Sequence, residues 1–300
     1  MMNKNKKTLI YALSSLVAVS IIVLSLLISG VVSIRPTEQP VEPEVIPDPE
    51  VVPEENPELV KLKEEWQANK AINEDYVGDI IFDSGLLRVN FVQATSVYKN
   101  NGEMYKFYTE NGNLVTDPTG YSGNDVYIWT YWKTGEYDYN DNGGSTFMDY
   151  RNYLTDDNLI IYGHHFSEWN DETRTKAFTP LEKFLDKENY EDNKYVTLVL
   201  GDEIRKYEVA VVYNFDATQD IYYSDAQYWR TDYSYDDYTN TVDNDYYQRY
   251  IDFIKSVELY DTGVDLTTED KTVTLQTCIS GRVGELFEIL VLKEIERFSY

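Results

Sequence analysis

Cys278 is the only cysteine in this 300-residue chain. No internal disulfide can form, so the fold must stand on its hydrophobic core. Histidine is nearly as scarce, with one adjacent pair, His164 and His165. Neighbours on a strand point to opposite faces. One histidine and one cysteine then fall short of the four ligands of a structural zinc site, and no metal centre is expected. Positive charge is also thin: 26 basic residues face 53 acidic ones, for a formal net charge of −27. Such a surface repels phosphate backbones and anionic headgroups, which excludes nucleic acid as a partner. Proline is nearly missing outside one stretch, because seven of the nine lie between Pro36 and Pro57.

One long segment has no charge at all, Thr8 to Ile34. At about 1.5 Å per residue it is long enough to cross a bilayer core of roughly 30 Å. Lys4, Lys6 and Lys7 precede it, and Arg35 and then acids follow. The positive-inside rule puts the N-terminus in the cytoplasm and the rest outside the cell. A cleaved signal peptide is the alternative, with Val31-Val32-Ser33 as a cleavage site. The apolar run, however, is longer than the usual signal core of about 7–15 residues. No cysteine follows directly, so a lipoprotein is excluded. The expected organisation is a cytoplasmic tip and single-pass transmembrane anchor over 1–35, an acidic proline-rich linker over 36–57, and an extracellular domain over 58–300. The linker repels itself and stays extended.

Within 58–300 the spacing of Leu59, Leu62, Trp66 and Ala71 predicts a helix over 58–76. Short apolar runs then predict strands at 77–82, 88–93, 103–109, 125–132, 158–163, 194–200, 204–215, 271–278 and 286–295. Turn signals such as "NNGE", "ENGN", "NDNGG" and "LGDE" separate many of them. Helices are expected at 146–154, 178–188 and 244–259. The fold class is mainly β with helices (α+β), built as one barrel-like domain. No internal repeat is evident. Residues 216–250 are rich in Tyr and Asp. Clustered carboxylates suit calcium, but the ligand pattern of a twelve-residue calcium loop is missing. A solvated acidic insertion is the preferred reading.

Both rare residue types fall at strand ends. His164 and His165 follow "NLIIYG", and Cys278 closes "KTVTLQTC". If those strands are neighbours, a thiol and an imidazole meet at one barrel rim. That pair suffices for nucleophilic catalysis: the thiolate attacks, and the imidazolium protonates the leaving group. A buried cysteine with surface histidines is the competing reading. Two shorter motifs carry less. "QTCISG" echoes the caspase signature, but His164 lies 114 residues before Cys278 against a caspase spacing of about 50. Asp261-Thr262-Gly263 echoes an aspartic-protease triplet, and a glycine turn ending a helix accounts for it better.

The order of segments resembles the class B sortases. "TLQTC" (274–278) is similar to the family's nucleophile strand, and "GGSTFMDYRNYLTDDNLIIYGHHF" (143–166) to the approach to its catalytic histidine. "AFTPLEKFLDKENYEDNKYVTL" (177–198), "YQRYIDFIKSVELYDTGVDLTTEDKTVTLQTC" (247–278) and "NEDYVGDIIF" (73–82) follow the same pattern. The resemblance covers roughly 73–295. It implies a sortase-like eight-stranded β-barrel with an N-terminal helix and a helix before the penultimate strand. It further implies Cys278 as acylated nucleophile and His164 as proton donor. Thr277, Ser280 and His165 fall in the substrate and oxyanion pocket, with His165 where the family usually has Asn.

The sequence departs from the family at its third residue, an arginine nine or ten positions past the cysteine. Glu288 stands there, and a carboxylate would oppose developing negative charge. The nearest arginine is Arg282, which takes the role if a shortened loop swings it in, its guanidinium fork binding an oxyanion or carbonyl.

The resemblance implies a membrane-anchored transpeptidase. It would cleave a C-terminal sorting signal of a secreted protein and pass the acyl group to an amine of a peptidoglycan precursor or a pilin, without a cofactor. A cysteine peptidase that lets water take the acyl group is the alternative within the same chemistry. A catalytically degenerate sortase-fold binding protein is the alternative outside it.

Overall fold

Helix α1 (Pro57–Ile72) opens where the sequence supplies a cap. Asn56 accepts a hydrogen bond from the Glu58 amide at 3.0 Å, and Pro57 occupies the first helical position. None of its residues is buried. It is held mainly by Trp66, whose Nε1 donates to the Val77 carbonyl at 2.8 Å, and by Lys70, whose Nζ donates to the Tyr76 carbonyl at 2.8 Å. The computed structural model describes residues 56–166, 175–216, 244–279 and 286–299. Among these, no helix is long and apolar enough to cross a membrane. The expected anchor and linker, and most of the Tyr/Asp-rich stretch, lie outside the described residues.

The core is a closed eight-stranded barrel. Its strands are β1 (Tyr76–Phe82), β2 (Arg88–Val92), β5 (Thr146–Met148), β6 (Asn158–Tyr162), β7 (Tyr195–Val199), β8 (Glu203–Asp216), β9 (Thr272–Cys278) and β10 (Leu286–Ser299). They close in the order β1-β2-β5-β6-β9-β10-β8-β7. β2 runs parallel to β5 and β6 to β9, and the other pairs are antiparallel. Alternation along each strand divides the two faces. Leu159, Ile161, Val212, Val273, Leu275, Leu290 and Leu292 fill the interior. Ile160, Tyr213, Phe215, Ile289 and Val291 face outward and pack beneath α3 (Asn244–Ser256). That helix precedes β9 and presents Tyr247, Tyr250, Ile251 and Ile254 to the sheet. The expected eight-stranded barrel, with an N-terminal helix and a helix before the penultimate strand, is the observed one.

Three expected elements take other forms. The run 125–132 alternates like a strand, but α2 (Gly123–Ile128) begins there. Ser122 and Asp125 form a reciprocal cap, and only β3 (Thr130–Tyr131) remains extended, paired with β4 (Glu136–Tyr137). The expected helix over 146–154 is instead β5 and a turn, because β2 and β6 offer it partners on both edges. The expected strand at 103–109 dissolves into two tight hairpins, which also reveal a repeat the sequence had hidden. Tyr98 bridges Met104, and ten residues on Tyr108 bridges Leu114. Each turn carries Asn-Gly with glycine at positive φ, Gly102 at 82° and Gly112 at 74°. The segment 178–188 is helical as expected, but wound as 3-10 turns over Thr179–Leu185 and Lys187–Asn189.

Candidate active site at the β6 and β9 strand ends

β6 and β9 lie side by side and parallel, with Tyr162 level with Gln276. Two residues further along that register stand His164 and Cys278. The pairing continues past the end of β6. The Gly163 amide donates to the Gln276 carbonyl at 3.1 Å, and the Thr277 hydroxyl donates to the Gly163 carbonyl at 2.8 Å. Gly163 is thus clamped to β9 by both of its backbone polar groups. Its small size is required as well, because a Cβ there would lie 2.5 Å from the Phe178 ring.

Cys278 is half-buried. It shares a pocket of ≈ 160 Å³ with His164, and Ile128, Phe147, Tyr162 and Phe287 supply the apolar walls. His164 sits in an aromatic cradle. The Trp129 ring lies 4.9 Å away at 31°, and Tyr139 meets it edge-on at 6.0 Å. Its Nε2 lies 2.5 Å from the Ile128 carbonyl oxygen. A carbonyl only accepts, so Nε2 carries the proton, and Nδ1 is the basic nitrogen of the neutral ring. Burial pushes the imidazole pKa below its ordinary value, and the hydrogen bond to Ile128 partly opposes that. Burial therefore favours the neutral imidazole at His164. Nothing in the sequence motifs pointed to Ile128, Trp129 or Tyr139. They arrive from the segment between β2 and β5, more than twenty residues before His164.

His165 does not join the pocket. Alternation turns it into the barrel, where it is 5% exposed and its Nε2 lies 2.9 Å from Glu182 Oε2. Thr277 lines the pocket, but its hydroxyl is committed to the Gly163 carbonyl. Ser280 and Arg282 lie outside the described residues. Glu288 does not face the thiol. Phe287 stands across from Cys278, while Glu288 pairs with Thr277 and is wholly buried on the interior face. The expectation that Glu288 would set a negative charge against the nucleophile is thereby corrected, since one step along a strand reverses the face. Among the described residues, no group of three or more metal-ligating side chains occurs.

No protein-family model matches the chain. It is 29% identical to sortase B of Staphylococcus aureus over 158 residues, 52% of this chain and 56% of that one. It is 30% identical to sortase B of Listeria monocytogenes over 137 residues, 45% of this chain and 47% of that one. The chain thus spans about half the length of these relatives. In fold it is similar to a mutant form of Clostridium perfringens sortase B, with a TM-score of 0.58 and 24% identity, over 80% of this chain and 90% of that one. Likeness in sequence to two sortases B and likeness in barrel to a third converge here: over about half its length the chain is similar to sortase B, and its barrel is the sortase fold.

Proposed function

We propose that the chain is a membrane-anchored cysteine transpeptidase acting outside the cell on the sorting signals of secreted proteins. One observation supports this reading above the others: the chain's only thiol and the imidazole of His164 line one pocket at adjoining ends of parallel strands. In the first half-reaction the Cys278 thiolate attacks the scissile carbonyl carbon. The C–N bond breaks, His164 gives its proton to the departing amine, and a thioester remains on Sγ. In the second, an amine of a peptidoglycan precursor or a pilin attacks the thioester carbonyl. Its proton passes to His164, and an amide forms as the thiolate leaves. Thiol and imidazole suffice, and no cofactor enters either step.

The test is intact mass of the full chain in detergent, mixed with sorting-signal peptides, with and without an amine acceptor. The expected result is an acyl adduct that the amine clears and that Cys278→Ala lacks. Release of free acid at the same rate with or without amine would replace the transpeptidase by a peptidase. Normal turnover by Cys278→Ala would refute both. A second reading, a catalytically degenerate binding protein, draws on Phe287 standing across from Cys278 with no described arginine in the pocket. Peptide binding without any adduct would select it.

A further inference from the structure

Behind the pocket, on the interior face of the same strands, lies a buried polar cluster that the proposed chemistry does not use. Glu288 is 0% exposed, and neither carboxyl oxygen has a hydrogen-bond partner among the described residues. Its register neighbours on the two flanking strands are Thr277 on β9 and Asn214 on β8. The Asn214 side-chain oxygen is likewise buried without a partner. The 3-10 turn covering this end of the barrel contributes Glu182, held by His165. Burial, with the charge of Glu288 second, holds the phenol of Tyr260, from the segment after α3, above its ordinary range. Burial, with the charge of Glu182 second, pushes Glu288 up to about 8. No described cation faces it. Removing one residue's worth of hydrogen bonds from a buried ionised carboxylate is costly, whereas the neutral acid is tolerated.

We propose that Glu288 is a positioning residue that works in its protonated form, locking the β9–β10 pair so that Cys278 stays in register with His164. The reasoning rests on the transpeptidase reading only for its activity readout. With its proton, Glu288 leaves the inner face of the pair uncharged, and the two strands close over a neutral interior. Any opening that brings Glu288 to water releases the proton. Opening therefore becomes easier as pH rises from the ordinary carboxylate value toward that of the buried group. Thr277 passes the effect to the site, because it neighbours Glu288 across the ladder, precedes the nucleophile, and ties β9 to Gly163 beside His164.

The test compares the full chain with Glu288→Gln across pH 5.5–9. Amide hydrogen exchange in β9 and β10 is read as a ratio of wild type to variant, which cancels base-catalysed exchange. The expected ratio climbs by up to about tenfold per pH unit as pH approaches 8 and levels beyond it. Amine-dependent peptide turnover, read in parallel, has an alkaline fall in the wild type that leaves the window in Glu288→Gln. Glu182→Gln, which removes the neighbouring charge, moves that fall to lower pH and keeps the question answerable should Glu288→Gln not fold. A flat exchange ratio, or an alkaline fall that neither substitution moves, overturns the proposal. A climbing ratio in a chain that turns over no peptide supports the lock and overturns the transpeptidase reading instead.

Discussion

Replacing Gly163 by alanine adds one carbon at the point where β6 hands over to His164. That carbon would sit 2.5 Å from two atoms of the Phe178 ring, where ordinary carbon contacts lie at about 3.5–4.0 Å. Something must move by about 1 Å. Gly163 cannot retreat easily, since its amide and carbonyl are both bonded to β9. Phe178 is wholly buried, and its own amide donates to the His164 carbonyl at 2.9 Å. Displacing the ring therefore pulls on the backbone of the histidine it is meant to hold. Overpacking of this kind costs about 1–3 kcal/mol. At about 1.4 kcal/mol per tenfold, that is up to two decades in the folding equilibrium. Turnover should fall along with it, because the His164 backbone is one of the two things displaced. Urea midpoints and kcat would be measured for Gly163→Ala, Phe178→Leu and the double substitution. The smaller side chain should relieve the clash, so the double variant should be more stable than the sum of the singles by about 0.5–3 kcal/mol. Strict additivity, or Gly163→Ala with wild-type stability and turnover, would refute the packing argument.

Two further outcomes follow from the same region. Thr277→Val keeps the shape but leaves the half-buried Gly163 carbonyl without its hydroxyl donor. It should cost about 0.5–1.5 kcal/mol in urea unfolding and lower kcat more than KM, and an unchanged midpoint would show that the hydrogen bond is not formed in solution. For Glu288 the native state holds its proton between the ordinary carboxylate value of 4.5 and about 8, while the unfolded chain does not. Its stabilising contribution is complete below that window and is lost as pH rises through it, at about 1.4 kcal/mol per pH unit. Relative to Glu288→Gln, the wild type should lose roughly 4 kcal/mol between pH 4.5 and 8, and parallel stability curves would sink the assignment.

How far the sequence carried can be seen residue by residue. Nine runs read as strands, and seven became barrel strands with boundaries within a residue or two, apart from β10, which continues to Ser299. They share β-rich or alternating runs of at least five residues. The two that failed lie in the segment between β2 and β5. There local chemistry overrode the pattern: a reciprocal cap turned 125–128 into helix, and two Asn-Gly turns folded 98–114 into hairpins. β5 is only three residues long, too short to show alternation, and exists because neighbours on both edges pair with it. Cys278 and His164 stood out as candidates because the chain has so few residues of either type, and the barrel brings the two to one pocket.

Glu288 shows where counting fails and parity succeeds. Ten residues beyond the cysteine is a distance along the chain, and it placed a carboxylate against the nucleophile. A strand has two faces, and 286–292 alternates with Leu290 and Leu292 on the inner one. Glu288 shares their parity, and Phe287 shares that of Ile289 and Val291, so the pattern already assigned phenylalanine to the pocket and glutamate to the core. An acid in that core position could not be recognised as tolerable from sequence, because its neighbours Asn214, Glu182 and Thr277 come from three other parts of the chain. The barrel gathers them and excludes water. That exclusion raises the affinity of Glu288 for its proton and ties a titration in the core to the strand that ends at Cys278.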